Sequence, residues 1–135
     1  ENLSAARDFL ITSLRIDNEE IPSLRQEMSQ GGYKVWFGGD QLREKIDKEC
    51  KIELEVITKK DKKRRDFSIF LNYPVRGLEI IFNYGETKLN NLREVAFFAG
   101  KHPSPTIVRK KGNIKLSIDD NEWVFPTSGV TFIWD

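Results

Sequence analysis

Ile52, Leu54 and Val56 alternate with Glu53 and Glu55, and Phe67, Ile69, Leu71 and Tyr73 alternate with Ser68, Phe70 and Asn72. A period of two sends successive side chains to opposite faces, so these segments predict a half-buried hairpin with residues 59–65 at its tip. Pro74 ends it, Gly77 turns the chain, and a further strand is predicted over residues 78–84.

Upstream the period is different. Leu3, Ala6, Leu10, Ile11 and Leu14 recur at helical spacing over residues 3–16, with Arg7, Asp8 and Arg15 on the other side. A second helix is predicted over residues 22–30, opened by Pro22, stopped by Gly31-Gly32 and burying Leu24 and Met28. Residues 33–37 read as a short strand, and Asp40 as the cap of a helix over residues 41–49 lined by Leu42, Ile46 and Cys50. Leu89, Leu92, Val95, Ala96 and Ala99 share one face of a last helix over residues 89–99, with Gly100 as its cap. Short strands at residues 106–110, 114–118, 122–125 and 130–134 finish the chain.

These elements predict an α+β class: about eight short, mainly antiparallel strands in a partly open barrel or strongly curved sheet, with N-terminal helices and two short helices flanking it. Residues 1–135 form a single domain in this reading, with a helical segment over 1–32 and a β-rich body over 33–135. No initiator Met is present, and we expect a domain of a larger protein such as a restriction, regulatory or defence factor.

Composition narrows the setting. A hydrophobic content of 39% with nine Phe, three Tyr and three Trp argues against disorder. No apolar run approaches the roughly 20 residues of a membrane span, so no membrane partner is expected. No export signal is recognisable at Glu1-Asn2-Leu3-Ser4, and one cysteine, Cys50, makes no internal disulfide. An intracellular, cytoplasmic home follows as the expectation.

Charge changes the picture most. The chain carries 22 Lys and Arg against 21 Asp and Glu, net +1, yet residues 59–115 hold 14 basic and 5 acidic residues, net +9. The remainder is net −8. Such segregation predicts an electrostatic face. Lys59, Lys60, Lys62, Lys63, Arg64 and Arg65 form the densest cluster, and Arg109, Lys110, Lys111 and Lys115 a second one, with Lys101-His102 upstream. Cations on stiff hairpin tips suit a phosphate backbone, and a two-stranded ribbon is narrow enough for the major groove. The expected function is therefore a non-catalytic nucleic-acid-binding module, DNA ahead of RNA, with Asn72 and Asn113 beside the arginines as base readers. Tyr33, Trp36, Phe37, Tyr73, Tyr84, Trp123 and Trp134 are the rings that could stack on unpaired bases. The alternative is a protein-interaction or oligomerisation module that uses the same segregated charge.

Catalytic patterns are thin, and no cofactor or metal is expected. A Mg²⁺-dependent nuclease is the activity that comes nearest. It would need an Asp and an acidic-x-Lys triplet on a strand, and Asp40 with Glu49-Cys50-Lys51 matches in residue type but sits at a helix-to-strand junction. Glu53 and Glu55 share a strand face and are expected to pair with lysines across the hairpin. His102 beside Ser104 has no third triad member, and Asp119-Asp120-Asn121-Glu122 lacks the glycine of a calcium loop.

Overall fold

In the computed structural model of the protein, residues 9–29, 32–38, 42, 48–59, 63–100 and 104–135 are described. Their regular structure is almost entirely extended. The strands are β1 (Phe9–Ile16), β2 (Glu19–Glu20), β3 (Ser23–Ser29), β4 (Gly32–Phe37), β5 (Ile52–Thr58), β6 (Asp66–Phe70), β7 (Val75–Asn83), β8 (Arg93–Phe97), β9 (Thr106–Lys110), β10 (Asn113–Val124) and β11 (Gly129–Ile133). They make four antiparallel sheets, ordered β2-β1-β5, β3-β4, β7-β10-β9 and β6-β11-β8. The chain divides into two compact units, Glu1–Asp61 and Lys62–Asp135.

The expected α+β class is therefore wrong, and so is the barrel: none of the four sheets closes on itself. The described parts of three of the four predicted helices fall on strands, while residues 3–8 of the first and residue 30 of the second lie outside the described residues. β1 imitates a helix because of a bulge between Ile11 and Ser13, which shifts the register against β5. Ile11, Leu14 and Ile16 then face the same side, opposite Val56, Leu54 and Ile52, and their spacing resembles a helical one. β3 pairs with β4 and carries its own register shift at Leu24, between Ser23 and Arg25. A separation of four, as between Leu24 and Met28, fits a strand as well as a helix. β8 was obscured because both of its faces carry apolar groups: Ala96 lies opposite the buried Val130, while Val95 lies on the outer face. Of the helix expected over residues 41–49, all but Leu42, Lys48 and Glu49 lies outside the described residues.

In the first unit β1 runs between β2 and β5, and Asp17 and Asn18 turn the chain with φ of 50° and 68°. Short polar side chains tolerate that left-handed region better than most. Ile16 and Ile21 are its buried apolar residues.

The second unit is a two-layer sandwich. Along β10, Ile114, Leu116 and Ile118 are buried while Lys115 and Ser117 face outward, the alternation expected of a sheet with one covered face. β11 supplies Val130 and Phe132, and both layers meet in one core with Ile80 and Val124. Phe132 stacks on Phe82 of the opposite layer at 4.4 Å between centroids, and Phe67 lies 5.9 Å from Phe82. The expected strands at residues 114–118 and 122–125 prove to be one strand, β10, interrupted by a register shift between Ile118 and Trp123.

Candidate nucleic-acid interface

The predicted hairpin at the centre of the functional reading does not form. β5 pairs with β1 and β6 pairs with β11, so the run over residues 59–65 is no hairpin tip but crosses the boundary between the two units. Both strands had the alternation of a hairpin arm. Pattern gives a strand its faces, not its partner.

Lys59 follows β5 in the first unit and is exposed, while Lys60 and Lys62 lie outside the described residues. Lys63, Arg64 and Arg65 are exposed in the second unit and lead into β6. Lys110 ends β9 and Lys111 opens the turn into β10, both exposed.

Arg109 and Lys115 are already engaged. Arg109 lies opposite the buried Ile114, so its side chain points into the open rim between the layers. There its guanidinium donates to both carboxylate oxygens of Glu94 on β8. Glu94 is only 9% exposed at its side chain, and the pair joins the edge strands β9 and β8 of the two layers. Lys115 Nζ sits 2.7 Å from Glu79 on the outer face of its sheet. Replacing Arg109 with Ala is expected to cost about 1–2 kcal/mol, because it leaves a largely covered carboxylate unpaired. Ala at Lys110 or Lys111 is expected to change stability by less than about 0.5 kcal/mol. Urea unfolding of the three variants checks the contrast.

Lys63, Arg64, Arg65, Lys88, Arg93, Lys110 and Lys111 gather at one end of the sandwich, as the backbone shows. The Trp134 N–H donates to the Arg65 carbonyl at 2.9 Å, which holds Arg64 and Arg65 beside the end of β11. Trp134 and Phe132 both pack on Phe82, whose ring centroid is 6.3 Å from that of Trp134. Phe82 lies at the end of β7, just before the N–H groups of Tyr84 and Gly85 donate to the Gly112 carbonyl at 2.9 and 3.1 Å. Gly112 belongs to the turn that Lys111 opens, so both cationic segments emerge at the same end.

Arg93 at the start of β8 and Lys88 in the preceding loop lie there too, where the Asp135 N–H donates to the Asn90 carbonyl. Sequence reasoning missed these two, since an isolated loop cation gains meaning only once strand order is known. Among the described residues no carboxylate pairs with Arg64, Arg65, Lys110 or Lys111. Asp66, Glu86 and Asp135 are the acidic residues of this end besides Glu94, and Asp135 holds Asn91 Nδ2 at 2.5 Å.

The end is a shelf, not a pair of prongs. Gly112 has φ of +82°, and a Cβ there would stand 2.9 Å from the Gly85 carbonyl oxygen. The turn is thus seated on the β7 end, and the expected cationic hairpin tips are replaced by a basic surface.

The stacking candidates do not share it as exposed rings. Trp36, in the first unit, lies under the Arg25 guanidinium at 4.9 Å. Tyr84 and Trp134 pack on Phe82. Tyr73 and Trp123 are exposed but at the opposite end of the sandwich, beside the start of β7. Phe37 is half-buried and the Tyr33 side chain lies outside the described residues, as do Asp40, Lys101 and His102.

The acidic candidates make local contacts. Lys51 N–H donates to Asp17 Oδ1 at 2.8 Å, Lys51 Nζ is 3.5 Å from Glu53, and Glu55 accepts from the Thr12 hydroxyl. Glu53 faces Arg15 of β1 instead of a lysine across the expected hairpin. Among the described residues no three His, Cys, Asp or Glu side chains come together as metal ligands. No helix there is long and apolar enough to cross a membrane.

Compared with known proteins, the chain matches no family model, no curated protein and no solved structure.

Proposed function

We propose that this protein binds nucleic acid through the phosphate backbone, using the basic end of its second unit. The observation that carries the reading is the arrival of Arg64 and Arg65 at the same end as Lys110 and Lys111, with Lys88 and Arg93 between them in the chain. The second unit holds 12 Lys and Arg against 8 Asp and Glu, net +4, whereas the first is net −3. Seven described cations other than Arg109 lie at this one end. A phosphate chain neutralises such a surface and gains by releasing its counterions.

A seated turn does not enter a groove, so binding is sequence-tolerant and DNA is one ligand among nucleic acids rather than a read sequence. A single cysteine and a phosphate ligand accord with an intracellular, cytoplasmic setting.

The test is a titration of the full chain with random-sequence duplex and single-stranded oligonucleotides from about 50 to 200 mM salt. About four phosphate contacts predict a log–log slope near −3.6 on duplex, a loss of roughly a hundredfold over that range. Absence of binding at the lowest salt, or an affinity indifferent to salt, would remove the proposal.

A further inference from the structure

The end of the sandwich opposite the cations has a different chemistry. Tyr73 is 78% exposed in the turn between β6 and β7, Trp123 is 53% exposed, and Phe125 is 47% exposed. Phe70, on the last residue of β6, is 61% exposed, and its ring meets Phe97 at 5.7 Å. The two rings lie over Gly129, where a Cβ would stand 2.9 Å from Phe97 Cζ and 2.3 Å from the Ile69 carbonyl oxygen.

Backbone hydrogen bonds join these segments: Leu71 N–H to the Ser128 carbonyl, Thr127 N–H to the Leu71 carbonyl, and Ser128 N–H to the Phe125 carbonyl. They bring residues 71–73 and 125–128 together at this end, while Phe70 and Phe97 lie next to it on the outer face of their sheet, out of register with the buried Val130. Asp119, Asp120 and Glu122 are exposed in the irregular stretch of β10 beside it, and Arg76, itself engaged, is its only cation among the described residues.

We propose that this aromatic, acidic end docks the basic end of a second copy of the chain, so that molecules associate head to tail. Charge complementarity identifies the occupant. Exposed rings flanked by carboxylates attract guanidinium and ammonium groups through their π faces and by direct ion pairing. The same unit carries those groups at its other pole. β7 spans nine residues, so the poles stand about 30 Å apart, several times the Debye length of about 8 Å at physiological salt. They consequently attract a neighbour and do not cancel each other. Opposed poles on one unit make a heterologous contact, which cannot close as a dimer and so grows past it into rings or filaments.

The proposal uses the cationic end assigned above to phosphate, and its test omits nucleic acid, so the two can fail separately. Sedimentation velocity of the full chain at low salt should show a weight-average mass that rises with concentration beyond the dimer and falls when salt is added. Two blocked chains should each remain monomeric, one with Tyr73→Ser and Trp123→Ser, the other with Arg64→Ser, Lys110→Ser and Lys111→Ser. Mixed, they should give a 1:1 dimer and nothing larger, because each retains the pole that the other lost. Asp120→Lys with Glu122→Lys keeps every ring in place and should also abolish growth. A monomeric natural chain at the highest concentration, association that stops at a dimer, or a mixture that remains monomeric would each overturn the proposal.

Discussion

Replacing Arg64, Arg65, Lys110 and Lys111 with serine should lower affinity for nucleic acid at about 50 mM salt by roughly a hundredfold or more, and flatten its salt dependence. The four side chains are exposed and without carboxylate partners among the described residues, so their removal leaves no buried charge behind. Stability should therefore stay within about 1 kcal/mol of the natural chain. That separation matters, because lost binding then cannot be ascribed to lost folding. Arg109→Ala should behave in the opposite way. Its guanidinium is committed to Glu94, so stability falls while affinity changes by a small factor. Fluorescence anisotropy with a labelled duplex, beside urea unfolding of the same preparations, measures both quantities.

The second large effect concerns the core that positions the basic end. Phe132 is fully buried in the middle strand of its sheet and stacks on Phe82 at an interplanar angle of 11°. Phe132→Ala should cost about 3–5 kcal/mol, the transfer energy of the ring together with the cavity it leaves. For a unit of this size each kcal/mol lowers Tm by about 4–8 °C, so a fall of roughly 12 °C or more is expected. Phe82 also supports Trp134 and Tyr84, which are next to the backbone hydrogen bonds that hold Arg65 and the Gly112 turn. Nucleic-acid affinity should fall along with stability in this variant, although Phe132 itself never touches the ligand. Phe132→Leu fills much of the cavity and should recover most of both losses. Thermal unfolding and the same anisotropy assay decide it.

What could be read from the chain differs from strand to strand. β5, β6 and β9 announced themselves, through a clean period of two or through β-branched residues between turn signals. Faces were legible in the same way: Ile114, Leu116 and Ile118 proved to be core, as alternation along a strand implies. Bulged segments were misread. In β1 one extra residue moved the apolar set from a spacing of two to spacings of three and two, which a periodicity argument takes for a helix. Pairing was not legible at all. β6 finds its partner β11 about sixty residues downstream, and nothing local to residues 52–73 excludes the shorter hairpin.

The candidate site divides along the same line. The density of cations at residues 59–65 and 109–111 was plain, but the meeting of Arg64 and Arg65 with Lys110 and Lys111 depends on sheet order and on Phe82 bridging the layers. The withdrawal of Arg109 and Lys115 into ion pairs likewise needed Glu94 and Glu79 to be found on neighbouring strands.

The most direct measurement takes the two cationic segments apart. Arg64→Ser with Arg65→Ser, and separately Lys110→Ser with Lys111→Ser, are compared with the natural chain in salt titrations on the same duplex. If the segments form one phosphate-binding surface, each pair removes nearly two contacts and each shallows the slope by about 1.8. A slope left unchanged by either pair would mean that the segments do not act together, and the account of a single basic end would be contradicted.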